Sequence, residues 1–169
     1  KIKMNLLTNL KEKKKILLKK ENFYFVSLAI IIFIFDRITK QEIISKFNEN
    51  VYFINDFINF DLIWNRGIGF GLLISDSALF YNLVTTLIGL IIFILIYVFL
   101  ISKSTDKIVY SIIIGGAFGN FYDRVVYKAV PDFIDLHYNN FHWFVFNVAD
   151  VFISFGIIAM LIIGLFKKN

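Results

Sequence analysis

Apolar residues in this chain gather into four long stretches, each approaching the roughly 20 residues needed to cross a bilayer. The first runs from Phe23 to about Ile44, apolar as far as Phe35 and then carrying Asp36, Arg37 and Lys40. The second runs from about Leu79 to Ile101, the third from Ile108 to Val126, and the fourth from Val148 to Phe166. The third begins apolar and ends with Asn120, Asp123 and Arg124, while the fourth contains a single charge, Asp150. Between the first two stretches the period changes. From Asn59 to Asn65 the residues Phe60, Leu62 and Trp64 alternate with Asn59, Asp61 and Ile63, the two-residue period of a half-buried strand. Val51 to Phe53 offers a partner strand and Asn55-Asp56 a turn between the two. The pattern predicts an all-α membrane protein of four transmembrane helices, with a small extracytoplasmic β-sheet between helices 1 and 2.

Composition supports reading these stretches as membrane spans. Hydrophobic residues make up 58% of the chain, above the roughly half of a soluble domain. A signal peptide is the rival reading of the first stretch, but no small-residue cleavage site follows it, so it is read as a retained helix. No linker-like segment or composition break divides the rest. Residues 23–169 are therefore read as a single four-helix membrane domain behind a basic tail, 1–22. Cysteine is absent, which excludes disulfides, thiol catalysis and cysteine-ligated zinc.

Charge orients the helices. With four crossings both ends share one side with the connector Ser102–Lys107, which gathers the tail lysines Lys1, Lys3, Lys11, Lys13, Lys14, Lys15, Lys19 and Lys20 with Lys103, Lys107, Lys167 and Lys168. Only Glu12, Glu21 and Asp106 oppose them there. Arg37, Lys40, Lys46, Arg66, Arg124 and Lys128 share the other side with all the remaining acids. An excess of lysine marks the cytoplasmic face, so both termini are expected in the cytoplasm and the polar machinery outside. A lysine-rich run suggests nucleic acid in a soluble protein, but beside a hydrophobic helix topology explains it better, and no nucleic-acid partner is expected.

The candidate chemistry lies on that outer side. Asp132 and Asp150 flank a segment able to fold back at the membrane boundary, where a carboxylate costs free energy unless paired, hydrated or functional. Asp36 and Lys40 stand four apart, the spacing of an intrahelical ion pair. Asn65-Arg-Gly67-Ile-Gly69-Phe-Gly71 lacks the lysine of a phosphate loop and reads as a flexible loop whose backbone closes on a ligand. Gly115 and Gly119 form the small-xxx-small pair of closely packed membrane helices. Asn120, Asp123 and Arg124 project from one helix face, as a salt-bridged terminus or as substrate contacts. His137 and His142 form no HExxH pattern and read as exposed loop residues, so no metal site is expected. No serine has a base in a recognisable frame. Carboxylates remain: two held close share a proton, so that one activates water while the other protonates the carbonyl or the leaving amine. Proton or ion transport remains an alternative for Asp150, and a helix cap beginning Asp132-Phe-Ile-Asp135 for Asp132.

Four blocks of these residues, taken together and in order, resemble the lipoprotein signal peptidases (signal peptidase II) of bacteria. They are Asp36-Arg-Ile-Thr-Lys40; Asn65-Arg-Gly67-Ile-Gly69-Phe70-Gly71; Gly115-Gly116-Ala-Phe-Gly119-Asn120-Phe-Tyr-Asp123-Arg124; and Asp132-Phe133-Ile134 with Trp143-Phe-Val-Phe146-Asn147-Val-Ala149-Asp150. The resemblance implies that Asp132 and Asp150 are the catalytic dyad of an aspartic endopeptidase. It also implies that Asn120 and Arg124 contact substrate, with Asn147, Asn65 and Gly67 in support and Asp36 and Lys40 structural or pocket-forming. The implied substrate is a prolipoprotein whose cysteine bears diacylglycerol, cut just before that cysteine. The implied setting is the bacterial inner membrane, with membrane lipid as the other partner, no cofactor, and a monomeric enzyme. Pro131, Phe144 and Gly69 depart from the family pattern around the dyad loops without removing a carboxylate or an asparagine. Two other classes compete: a small transporter whose acids relay protons, and a non-catalytic scaffold pairing helices through its glycine face.

Overall fold

The computed structural model describes residues 19–46, 51–67 and 77–166. The tail up to residue 18, the Gly69-Phe70-Gly71 segment, and Lys167 and Lys168 lie outside the described residues. Along the chain run α1 (Lys20–Lys46), β1 (Tyr52–Asn55), β2 (Ile58–Asn65), α2 (Ala78–Ile101), α3 (Ser104–Val126), β3 (Val130–Tyr138), β4 (Phe141–Phe146) and α4 (Val148–Phe166). At the α-helical rise these helices are about 28 to 40 Å long, against a hydrocarbon core of about 30 Å. Helices α1, α2 and α4 are long and apolar enough to cross a membrane. Helix α3 is long enough at 23 residues but carries Asp106, Lys107, Asp123 and Arg124.

The burial pattern is inverted relative to a water-soluble bundle. On α1 the buried stripe is Ile32, Asp36, Lys40 and Ile43, spaced three or four apart so that all point to one face. The opposite faces expose large apolar side chains such as Phe23, Leu79, Phe93 and Phe166, a surface suited to lipid rather than water.

Helix α3 sits at the centre and packs against α1, α2 and α4. Its glycines make that possible. A Cβ on Gly115 would stand 2.7 Å from the Ala29 carbonyl oxygen and 2.9 Å from Ile32 Cβ, both on α1. One on Gly116 would stand 2.7 Å from the Ala149 carbonyl oxygen on α4, and one on Gly119 would collide with the Asp36 carboxylate. The small-xxx-small expectation for Gly115 and Gly119 therefore holds, with Gly116 serving a second helix on the adjacent face.

Four expectations are corrected. Helix α3 begins at Ser104, so the connector is Ser102-Lys103 rather than Ser102–Lys107. Lys107 is buried, donating to Asn22 Oδ1 at 2.5 Å and lying 3.4 Å from Glu21 Oε1, which draws the first turn of α3 onto the start of α1. The molecule is mostly helical, but its sheet has four antiparallel strands in the order β1-β2-β3-β4, half of them from the connection between α3 and α4. Asp132 and Asp135 lie on strand β3, so the helix-cap alternative is excluded, and His137 and His142 are cross-strand partners rather than loop residues.

The face expected of β2 is also modified. Asn59 and Asn65 are buried while Trp64 is 43% exposed, because the register slips between Phe60 and Ile63 and the strand is paired on both sides. A bulge of this kind re-aims the residues that follow it.

Gly116→Ala is expected to destabilise the protein by about 1–3 kcal/mol, since the added methyl must push α4 away. Gly164→Ala, with open space around it, is expected to leave the melting temperature unchanged or raise it. Thermal unfolding of the two variants in detergent provides the comparison.

Candidate active site

Asp132 and Asp150 are brought together by a hairpin. Strands β3 and β4 turn at Asn139-Asn140, where Asn139 adopts φ 51°, the positive dihedral that tight hairpin turns require. The resulting register sets Ile134 opposite Phe146. The chain just before Ile134, which contains Asp132, is thereby level with the chain just after Phe146, where α4 starts.

The start of α4 fixes the second aspartate. Asn147 stands immediately before the first helical residue, and its Oδ1 accepts from the Asp150 backbone N–H at 3.1 Å. Asp150 Oδ2 in turn accepts from the Asn147 backbone N–H at 3.1 Å. This reciprocal pair is a capping box, which satisfies two otherwise orphaned donors and locks the side chain at the third helical position. The remaining hydrogen-bonding group of Asn147, its Nδ2, donates to Asp132 Oδ1 at 2.6 Å. One fully buried asparagine thus holds both carboxylates.

Each carboxylate has a further donor. Asn65, at the end of β2, donates to Asp132 Oδ2 at 2.8 Å, and its own Oδ1 accepts from the Gly67 N–H at 2.7 Å. Asn120 of α3 donates to Asp150 Oδ1 at 2.8 Å. Arg124, one turn further along α3, donates to the Gly67 carbonyl rather than to an acid, and the Tyr81 hydroxyl donates to the Arg124 carbonyl at 3.1 Å.

Behind this layer lies an ion cluster in which Asp36, Lys40 and Asp123 are fully buried. Lys40 Nζ donates to Asn120 Oδ1 and Asp123 Oδ2, each at 2.8 Å, and lies 2.9 Å from Asp36 Oδ2. Arg37 approaches the other oxygen of Asp123 at 2.5 Å and stacks over the Tyr122 ring. Asp36 Oδ1 accepts the Ala149 N–H at 3.0 Å, capping a second donor at the start of α4. The expected Asp36–Lys40 pair is present as part of this larger cluster. The salt bridges of Asp123 run to α1 rather than to Arg124.

Partners distinguish the front pair, held by neutral asparagines, from the cluster behind, which faces Lys40 and Arg37. Burial, and next the neighbouring Asp150 carboxylate, push Asp132 up to about 7, against the pull of the Asn65 and Asn147 hydrogen bonds. Asp150 borders an apolar groove of about 400 Å³ whose other walls are Leu136, Trp143, Phe144, Phe146, Val151 and Ser154. A pair so placed has what proton exchange with a bound water and a carbonyl requires, and its groove can seat an apolar ligand.

Sequence comparison places the chain in a family. The family described as signal peptidase (SPase) II matches residues 28–166. The chain belongs to the signal peptidase II family. A lipoprotein signal peptidase of Pelagibacter ubique (strain HTCC1062) is 49% identical over 154 residues, covering 88% of this chain and 92% of the relative. One of Francisella tularensis subsp. novicida (strain U112) is 37% identical over 159 residues, covering 90% and 98%. The fold resembles that of a bacterial membrane enzyme determined by the in meso method at 2.3 Å resolution, with a TM-score of 0.72 and 29% identity over 86% of this chain and 90% of that one.

All nine residues singled out from the resemblance to signal peptidase II fall in one connected network: Asp36, Lys40, Asn65, Gly67, Asn120, Arg124, Asp132, Asn147 and Asp150. Sequence reasoning passed over Arg37 and Tyr81. The only signal for Arg37 was its place beside Asp36 at the polar end of α1, and Tyr81 had none. Pro131, one of the departures from the family pattern, is fully buried opposite Trp64. It is the second residue of β3, near the strand start, where a missing N–H is tolerated.

Because Asp132 is raised from 3.8 to about 7, folding favours its protonated form. Its contribution to stability is full below about 4 and is lost as pH rises to about 7. The melting temperature of the unaltered protein minus that of Asp132→Asn is therefore expected to fall across this window. Parallel curves would contradict the shift.

Proposed function

We infer that this protein is a lipoprotein signal peptidase that removes signal peptides from bacterial prolipoproteins, cutting just before a diacylglyceryl-modified cysteine, with Asp132 and Asp150 as its acid–base pair. The observation that carries this reading is the attachment of both carboxylates to Asn147 beside an apolar groove. In the reaction the ionised member of the pair takes a proton from water, and the hydroxide adds to the scissile carbonyl carbon. The protonated member donates to the carbonyl oxygen, and the C–N bond breaks as the first carboxyl passes the proton taken from water to the leaving nitrogen and the second regains its proton from a hydroxyl of the intermediate. Asn65, Asn120 and Asn147 keep the two carboxylates in register. Arg124 Nη1, buried and without a hydrogen-bond partner among the described residues, is suited to a substrate carbonyl, with Gly67 held beside it.

The membrane setting follows from the same reading. Helices α1 to α4 each cross the bilayer, the lysine-rich tail 1–22 and the far terminus face the cytoplasm, and residues 23–169 act as one peptidase unit in the inner membrane. The dyad then lies at the outer surface, where acyl chains remain in lipid while the peptide bond enters the polar end of the bundle. The enzyme works as a monomer, with Asp36 and Lys40 supporting the site rather than touching substrate. A proton relay would need ionisable groups through the membrane depth, whereas Asp36, Asp123, Asp132 and Asp150 are gathered at one end and α2 has no charged residue.

Asp132→Asn and Asp150→Asn are each expected to lower cleavage of a lipidated precursor at least about a hundredfold, the scale of a lost general acid or base. Membrane insertion should persist, and Asp56→Asn, an exposed turn residue, should retain full activity. Near-normal turnover by either dyad variant would sink the assignment.

A further inference from the structure

On the β3–β4 hairpin, away from the dyad, three ligand-type side chains converge. Asp135 and His137 stand two apart on β3 and so share a face, and His142 of β4 is the cross-strand partner of His137. Asp132, three residues before Asp135, belongs to the opposite face. Ligand atoms of Asp135, His137 and His142 all lie within 4.8 Å of one another. His142 Nδ1 is 2.7 Å and His137 Nδ1 4.0 Å from the same oxygen, Asp135 Oδ2. The two imidazoles stack at 5.3 Å with an 18° angle between their planes.

Hydrogen bonding leaves this cluster incomplete. Asp135 and His137 side chains are 5% and 9% exposed, yet Asp135 Oδ1 and His137 Nδ1 have no hydrogen-bond partner among the described residues. A buried carboxylate oxygen and a buried imidazole nitrogen without partners each carry a desolvation cost. No lysine or arginine forms an ion pair with Asp135 among the described residues; its ion-pair partners are the two histidines. His142, 54% exposed, supplies an entry path and can move without disturbing the core.

We propose that Asp135, His137 and His142 form a binding site for a divalent transition-metal ion of the zinc type, which clamps β3 to β4 on the face opposite Asp132. Two imidazoles and one carboxylate are a donor set such ions favour, and three protein ligands leave a fourth position for water. Bond lengths of about 2 Å place tetrahedral ligands roughly 3.3 Å apart, so His137 Nδ1 closes on Asp135 Oδ2 from 4.0 Å while His142 Nδ1 opens from 2.7 Å, small shifts that the half-exposed His142 can share. The ion neutralises Asp135, gives the orphaned His137 Nδ1 a partner and replaces the His142–Asp135 hydrogen bond with two coordinate bonds. Its role is structural, since the hairpin sets the level of Asp132 against Asn147.

The test uses the full-length protein, purified in detergent without a polyhistidine tag, stripped with chelator and titrated with Co²⁺ and then Zn²⁺. The expected result is one saturable Co²⁺ site with visible absorption of tetrahedral type, displaced by Zn²⁺, and a Zn²⁺-dependent rise in melting temperature. His142→Ala and His137→Ala should each weaken binding by more than the roughly ten- to hundredfold that an outer-shell change costs. Asp132→Asn should bind the ion as the unaltered protein does, which separates this site from the dyad. His142→Ala changes a half-exposed side chain and is the variant to rely on if His137→Ala folds poorly. Absence of saturable Co²⁺ binding, or binding that survives His142→Ala unchanged, would overturn the proposal.

Discussion

The Lys40 ammonium, fully buried at the polar end of the bundle, is the contact on which the site depends. An isolated charge there would be costly, and it is tolerated because Asp36, Asp123 and Asn120 surround it. Removing one partner from such a buried group typically costs about 3–5 kcal/mol, because the remaining charge is left uncompensated. The same contacts bind α1 to α3. Through Asn120 they reach Asp150, and through Asp36 they reach the Ala149 N–H at the start of α4. The position of one dyad aspartate is therefore set by charges that never touch the groove.

The two carboxylate populations differ because their surroundings differ. Asp36 and Asp123 face cations within 3 Å and serve as counter-ions. Asp132 and Asp150 are bonded to neutral asparagine donors, and burial together with the Asp150 carboxylate favours the protonated form of Asp132. Glycine on α3 is what allows the two layers to come so close. Gly119 leaves the space that the Asp36 carboxylate occupies, and Gly116 lets the start of α4 rest directly on the α3 backbone.

The helices, the first hairpin and the residues that meet in the network were legible in the sequence for separate physical reasons. Long apolar runs announce themselves by length, and the glycine pair by its spacing. The grouping of Asp132 and Asp150 with Asn65, Asn120 and Asn147 followed the ordered blocks of a family, not any local period. The second hairpin was not legible. Phe141 to Phe146 is apolar at nearly every position, so no alternation marks it as a strand, and Asn139-Asn140 is a weak turn signal without glycine. Missing that hairpin hid the capping role of Asn147 and the meeting of His137 with His142. Lys107 was misread because a lysine near a helix start resembles a loop charge, whereas Asn22 and Glu21 on another helix give it a buried seat.

The central claim is that Asp132 and Asp150 act as a pair that shares one proton. The most direct measurement is kcat/KM for a lipidated precursor as a function of pH, with the enzyme in its membrane. The account predicts a bell-shaped profile whose two apparent pKa values belong to the pair, with the alkaline limb near the value of about 7 to which its surroundings push Asp132. A rate that climbs with pH to a plateau and shows no alkaline limb would mean that no protonated carboxyl is required, and would contradict it.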